Sequence, residues 1–318
     1  MSSRELELCS PYSGSEYQLD VRSSMEPWRI IRWLLRFVPA SLKHILFKWT
    51  AQASARCGLQ LHHNIYRLPF DLILKTTSDH HLNEAHALRI VEFVKVVQAP
   101  RVVDHAVGVP HSYILMTRIE GDCCNDVFEE LTTSDKSRII HESQAQLAAL
   151  RRATTYTSRA ICGASEASIS GPRIPWLREE PRVLRSSQEF FEQVWLGLDL
   201  PWNRDTILPR IRSLIEREDV PIVFCHGDIL PKNIILPGGL KKWRSGTTQL
   251  FLTDWEFAAW APLPWEALKA TWLVIDPEED SWYDMMKTRV VGRAGSRLDM
   301  EIEVQHHDNL RAKFTARK

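Results

Sequence analysis

Three oxygen-bearing side chains stand at spacings that chemistry can use. Asp228 follows His226 and Gly227, Asn233 comes five residues later, and Asp254 closes the apolar run Leu250 to Thr253. Phosphoryl transfer gathers negative charge and needs little covalent help. A site for it requires hard oxygen ligands for Mg²⁺ and a carboxylate beside the attacking hydroxyl. Asn233 and Asp254 supply such oxygens, and Asp228 can accept the hydroxyl proton. Gly227 lets the loop turn without a Cβ in the way. His226 is read as bracing the loop rather than carrying a proton.

These residues need elements that bring them together. Pro221 to Cys225 is short, apolar and rich in β-branched residues, which predicts a buried strand delivering His226 to Asp228 into a loop. Ile234 to Leu236 predicts a second strand, stopped by Pro237-Gly238-Gly239, and the polar stretch 241–249 leads to a third at Leu250 to Thr253. If the last two pair as an antiparallel hairpin, Asn233 and Asp254 emerge side by side. Each residue alone is an ordinary turn residue. Strand, loop, spacing and second acid agree, however, and that agreement carries the reading.

At His226-Gly227-Asp228 through Asn233, and at Asp254-Trp255-Glu256, the chain resembles the aminoglycoside phosphotransferase and choline kinase-like family. Its catalytic loop reads HGDxxxxN and its metal-binding Asp stands in a DWE or DxE tripeptide. The chain is most similar to the fungal-type branch called the phosphotransferase enzyme family. The resemblance implies an α+β, bilobal protein-kinase-like fold with a small β-sheet N-lobe and a larger, mostly helical C-lobe. It implies ATP and Mg²⁺ as cofactors, Asp228 as the catalytic Asp, Asn233 and Asp254 as metal ligands, and Glu256 as a further polar neighbour of the metal.

Such an enzyme needs a phosphate-binding lysine on a strand and an acid on the next helix. Asn64 to Lys75 reads as two strands around a Pro-containing turn, and residues 83–97 carry helical spacing from Glu84 through Leu88 and Val91, with Ser78 or Asp79 at the start. By the resemblance, Lys75 pairs with Glu84 and holds the α and β phosphates. Taken alone, the same two residues read as a solvated lysine and a glutamate favoured by the helix dipole. Met116 would back the adenine pocket, with the backbone of Thr117 and Ile119 on the adenine edge. A GxGxxG loop is missing, since residues 55–63 hold one glycine, Gly58, a weak candidate.

The remaining sequence sets bounds. With 40 basic and 40 acidic residues among 318, there is no electrostatic footprint for nucleic acid. Six cysteines without CxxC spacing, and no apolar leader in residues 1–27, lead to a reduced, cytoplasmic setting as the expectation. The basic, aromatic segment from Trp28 to Thr50, broken at Pro39, is read as packing its apolar face on the first lobe. A membrane-surface helix is the other reading its composition allows, and no membrane partner is expected. The histidine pairs at 62–63, 80–81 and 306–307 lack a ligand frame and are read as solvated.

The predicted organisation is an N-terminal lobe over 1–118, a catalytic and acceptor-binding lobe over 119–290, and a flexible tail over 291–318. Helices are expected at Asp135 to Arg152, Gln188 to Leu198 and Thr206 to Arg217, with an irregular insertion at 153–187. The acceptor is expected to be a small-molecule hydroxyl compound meeting residues 160–205 and 260–272. Trp176, Trp195, Trp202, Trp260, Trp265 and Trp272 are available there to stack on it or to line the core. A monomer or weak dimer is expected. Two other readings stay open: a kinase-like binding protein without catalysis, and a protein kinase, against which the lack of HRD, DFG and APE speaks.

Overall fold

Successive side chains of a strand point to opposite faces of its sheet, and here both faces are covered. In the computed structural model, which describes residues 26–271 apart from 155–159 and parts of 172–180 and 197–219, five antiparallel strands form one sheet. They are β1 (Gln60–His62), β2 (Ile65–Leu68), β3 (Leu72–Thr77), β4 (Val102–Ala106) and β5 (Ser112–Thr117), in the order β1-β2-β3-β5-β4. Leu72, Leu74, Val103, Tyr113 and Leu115 point to one face. There they pack with Leu35, Phe47 and Ala51 of two lead-in helices, α1 (Pro27–Leu35) and α2 (Ala40–Arg56). Ile114, Met116 and Val102 point to the other face, under α3 (Asn83–Val94). Lys75 lies on that second face, which is what the strand alternation requires.

Local signals explain the ends of these elements. Asp79 accepts from the backbone N–H groups of His81 and Asn83 at 2.8 and 2.7 Å and so starts α3, as one of the two expected residues. Gly58, the sole candidate for a phosphate loop, has another task. At φ +71° it ends α2, with its own N–H on the Ala55 carbonyl and that of Leu59 on the Ser54 carbonyl. That is a Schellman cap, and glycine is there because the left-handed position after a helix favours it. The β1–β2 turn is formed instead by His63 and Asn64, with no glycine.

The second lobe is built on α4 (Thr133–Ala153), whose Thr132 and Asp135 form a reciprocal capping box and whose Ile139, Ile140, Leu147 and Leu150 are all buried. Two small antiparallel sheets flank it. One orders β10 (Phe251–Leu252), β9 (Ile234–Pro237) and β6 (Gly121–Cys123), and the other orders β7 (Cys162–Gly163), β11 (Ala259–Pro262) and β8 (Ile222–Cys225). The expected hairpin is present, with Ile234 opposite Leu252 and Ile235 opposite Phe251. Helices α5 (Ser187–Leu196) and α7 (Trp265–Thr271) complete the described part.

Two stretches differ from the sequence reading. The connection at 241–249 is not wholly irregular, because Leu240–Arg244 forms a short helix, α6, around a fully buried Trp243. Arg138 lies over the Trp243 ring at 4.1 Å, and Glu142 accepts from the indole N–H at 3.3 Å, so one side chain holds the polar stretch. The insertion at 153–187 also contributes structure. It supplies β7 and packs Ile161, Ile169, Ile174 and Leu184 against Phe190, Phe191 and Trp265. Most of the predicted helix at 206–217, the whole of the predicted tail at 291–318, and Trp176, Trp202 and Trp272 lie outside the described residues. Among the described residues no helix is long and apolar enough to cross a membrane.

Candidate active site

The site forms where α3 and the sheet meet the hairpin. Lys75 reaches across from β3 with its side chain 8 % exposed, and its Nζ stands 2.7 Å from Glu84 Oε2, 2.5 Å from Asp254 Oδ1 and 3.4 Å from Glu256 Oε2. The sequence-predicted lysine therefore meets three acids rather than one. Burial by itself lowers the Lys75 pKa, but the surrounding carboxylates, Glu84 foremost, reverse that and leave it raised, so the ammonium keeps its proton. Burial pushes the Glu84 carboxyl up, opposed by Lys75. For Asp254, burial is likewise overcome by Lys75, and its pKa is lowered.

Asp254 reaches this position through an unusual backbone. It has φ +62° and ψ +62°, a left-handed conformation that Asp tolerates better than most residues because its short polar side chain bonds locally. The following turn, Trp255 to Phe257, is fixed by Trp255, whose indole N–H donates to the Leu252 carbonyl at 2.9 Å. Asn83, one residue before Glu84, donates to the carbonyls of both Glu256 and Ala258 at 2.8 Å and accepts from the Ser165 N–H at 3.3 Å. Helix α3 is thereby fastened to the turn that carries two of the acids.

The loop after β8 places the other half. Gly227 has φ +79°, and a Cβ there would stand 2.4 Å from the Phe257 carbonyl oxygen, so both conformation and space require glycine. His226 is fully buried. Its Nε2 bonds the Thr253 carbonyl at 2.9 Å, which requires the proton on Nε2, while Nδ1 accepts from the Asp228 N–H at 3.2 Å. Burial lowers its pKa, consistent with a neutral ring that braces the loop. Asn233 donates through Nδ2 to the Asp228 carbonyl at 2.8 Å and to Asp228 Oδ2 at 2.9 Å. Its own backbone carbonyl accepts from the Thr253 N–H at 2.9 Å, which places Asn233 beside the residue preceding Asp254.

Two charged residues of this site escaped the sequence reading. Glu266 is 1 % exposed and accepts from the backbone N–H groups of His226 at 2.6 Å and Gly227 at 3.0 Å, clamping the loop from α7. Lys269, one turn on, brings Nζ to 3.9 Å from Asp228 Oδ1 and 4.7 Å from the Phe257 ring. Lys232 approaches the other carboxylate oxygen at 3.5 Å from solvent. The signal that could have found Glu266 and Lys269 is their placement three apart inside the apolar run from Trp260 to Thr271, where a charge needs a partner.

The donor set suits a hard cation. Glu84, Asp254 and Glu256 each offer an oxygen, all within 4.8 Å of one another, and they are the single such group among the described residues. Asn233 gives its amide nitrogen to Asp228, which leaves the amide oxygen as its ligand atom. The paired histidines His62 and His63 are exposed, with ring centroids 4.2 Å apart and planes tilted by 59°.

The remaining predicted residues separate. Met116 is buried in the core beneath α3, Thr117 gives its N–H to the Arg101 carbonyl at 2.9 Å, and Ile119 follows it, half-buried. Of the tryptophans read as stacking on the acceptor or lining the core, Trp260 and Trp265 line the core, 3 % and 2 % exposed, set against Phe224 at 5.0 Å and Phe190 at 4.9 Å. Trp195 is partly buried against the same core.

The family model described as "Phosphotransferase enzyme family" matches residues 68–297. Among solved structures, a fructosamine-3-kinase-like protein from Haemophilus somnus is similar over 78 % of each chain, with 11 % identity and a TM-score of 0.46. An aminoglycoside phosphotransferase from Streptomyces rimosus is similar over 83 % of this chain and 98 % of its own, with 17 % identity and a TM-score of 0.43. No curated protein sequence matches the chain.

Proposed function

Because the chain belongs to the phosphotransferase enzyme family, we propose that it moves the γ-phosphate of ATP to a hydroxyl of a small molecule. The observation that carries this reading is the meeting of Lys75, Glu84, Asp254 and Glu256 directly beside the loop that holds Asp228 and Asn233. Lys75 neutralises phosphate oxygens, and Glu84 fixes its position. Asp228 orients the acceptor hydroxyl and takes its proton, while Asn233 holds the Asp228 carboxylate in place. Asp254, with the amide oxygen of Asn233 and with Glu256 beside it, is the set that would hold Mg²⁺. When bound, that ion supplies charge neutralisation for the phosphates. Met116 and the Thr117 and Ile119 backbone form the adenine side of the pocket. The acceptor is a small molecule, taken up from the C-lobe side of Asp228.

The test is acceptor-dependent ATP consumption across a panel of hydroxylated metabolites, with Asp228→Asn as the control. Loss of turnover by at least about a hundredfold with Mg·ATP binding preserved is the expected result. Equal turnover in wild type and Asp228→Asn removes the assignment. A second reading is a nucleotide-binding protein of the same fold without transfer. The His63–Asn64 turn favours it, since no glycine there brings backbone N–H groups close to the phosphates. Mg·ATP binding with no turnover on any acceptor would support it.

A further inference from the structure

Helices α1 and α2 are apolar on two sides, and among the described residues only one of those sides is packed. Their inner residues, Leu35, Phe47 and Ala51, pack on the sheet, and both helices lie against β4. A second stripe runs along each at helical spacing. On α1 and its exit it is Ile30, Trp33, Leu34 and Phe37, and on α2 it is Leu42, Ile45, Leu46 and Trp49. The spacing is i, i+3, i+4, i+7 in both, so each set lines one side of its helix. Every one of these side chains is between 42 % and 70 % exposed, with Phe37 and Trp49 at the upper limit. A stripe that wide on a pair of neighbouring helices marks an interaction surface.

Charge selects the occupant. From Pro27 to Arg56 there are six Lys and Arg and no Asp or Glu. Arg32 and Lys43 are paired with Glu92 and Asp104 at 2.7 and 2.6 Å, and Arg29 lies 3.8 Å from Glu26, an exposed acid just before this span. Beside the stripe lies a cleft of about 510 Å³ where Arg29, Arg36, Lys95 and Arg101 converge with one acid, Glu92. Trp33 lines this cleft and also belongs to the stripe, so the basic and apolar surfaces are continuous. Aromatic and aliphatic side chains edged by arginines are the composition of helices that lie in the headgroup region of a bilayer. Tryptophan sits at that level, and basic groups meet anionic phosphates.

We propose that the α1–α2 pair docks the protein on anionic phospholipid membrane surfaces, lying in the interface without spanning it. The inner stripe, which supports packing on the lobe, and the outer stripe, which supports the membrane reading, are then both used. The proposal is independent of the phosphotransfer reading.

The test is co-sedimentation of the full chain with phosphatidylcholine vesicles with and without phosphatidylserine, at low and high salt. Binding is expected only with phosphatidylserine, weakening as salt rises, with a blue shift of tryptophan emission. The variant Trp33→Ser/Trp49→Ser should lose roughly tenfold or more in partitioning, and Arg29→Glu/Arg36→Glu a similar amount. All four positions are exposed, so unchanged circular dichroism is expected and confirms the fold. Absence of binding to phosphatidylserine vesicles overturns the proposal, as does undiminished binding by both variants. A concentration-dependent dimer that the tryptophan variant abolishes, without vesicle binding, would assign the surface to a second copy of the chain instead. A tryptophan emission of the free monomer that is already blue-shifted and shielded from acrylamide quenching would show that the chain itself covers the stripe, and would equally overturn the proposal.

Discussion

Lys75→Met is the perturbation that tests the site most directly, because it removes one cation from among three carboxylates. Met preserves the length and apolar stem of the side chain, so packing on β3 changes little. What changes is charge. Glu84, Asp254 and Glu256 keep oxygens within 4.8 Å of one another, and at an effective dielectric of about 20 two unit charges at that distance repel by roughly 3.5 kcal/mol. Glu256 is 39 % exposed on its side chain and can swing into water, which relieves part of this. Glu84 cannot, at 6 %. The expected loss is about 3–5 kcal/mol, the range for breaking a buried pair by removing one partner. Glu84→Gln leaves Lys75 with two carboxylates and should lose only about 1–2 kcal/mol. Urea unfolding followed by tryptophan fluorescence gives both values. Adding Mg²⁺ should restore part of the loss in Lys75→Met, by about 1.4 kcal/mol at tenfold excess over its Kd, and less in the wild type, where Lys75 competes for the same oxygens. A Lys75→Met protein within about 1 kcal/mol of wild type, or less affected than Glu84→Gln, would refute the view that Lys75 neutralises this cluster.

Three further outcomes are expected. Glu266→Gln removes the charge from a carboxylate that accepts two buried backbone N–H groups, and should lower stability by about 2–3 kcal/mol, read as a drop in Tm by calorimetry. Gly227→Ala forces a Cβ against the Phe257 carbonyl in a left-handed backbone, so nucleotide turnover should fall together with at least about 2 kcal/mol of stability, measured by the same urea curves. Hydrogen bonds from Arg244 hold the Asp135 carboxyl at about 2, below its ordinary 3.8. A depressed acid stabilises the fold above the ordinary value and loses that contribution as pH falls through the folded one. Unfolding between pH 4 and pH 2 should therefore show about 1–2 kcal/mol of pH dependence that Asp135→Asn lacks, and a matching curve in the variant would contradict the assignment.

What could be read from the sequence follows from how local each determinant is. Asp228, Asn233 and Asp254 lie on one strand–loop–hairpin unit, and the hairpin register that joins them depends on neighbouring residues alone. For Lys75 and Glu84 the sequence showed a strand run reaching the one and a helical period beginning beside the other, while their pairing came from the family resemblance. Glu266 was not, because its partners are about forty positions upstream and only the packing of α7 brings them within reach. Helix α6 was hidden because five residues are too few to show a period, and one buried Trp243 fixes it. The role of Gly58 depended on where α2 ends, a boundary that propensity alone leaves uncertain by a residue or two. Trp260 and Trp265 have the same composition whether they line a pocket or a core, and burial decides between them.

The bonds of Asn83 alter which parts of the molecule count as one body. With its amide held by the Glu256 and Ala258 carbonyls, α3 is tied to the second lobe as well as packed on the sheet through Leu88 and Val91. Glu84, Asp254 and Glu256 therefore form one group drawn from both lobes, and Lys75 meets that group from the sheet. A pair of probes on β3 and α3 would report any change in the spacing of the lysine from its acids.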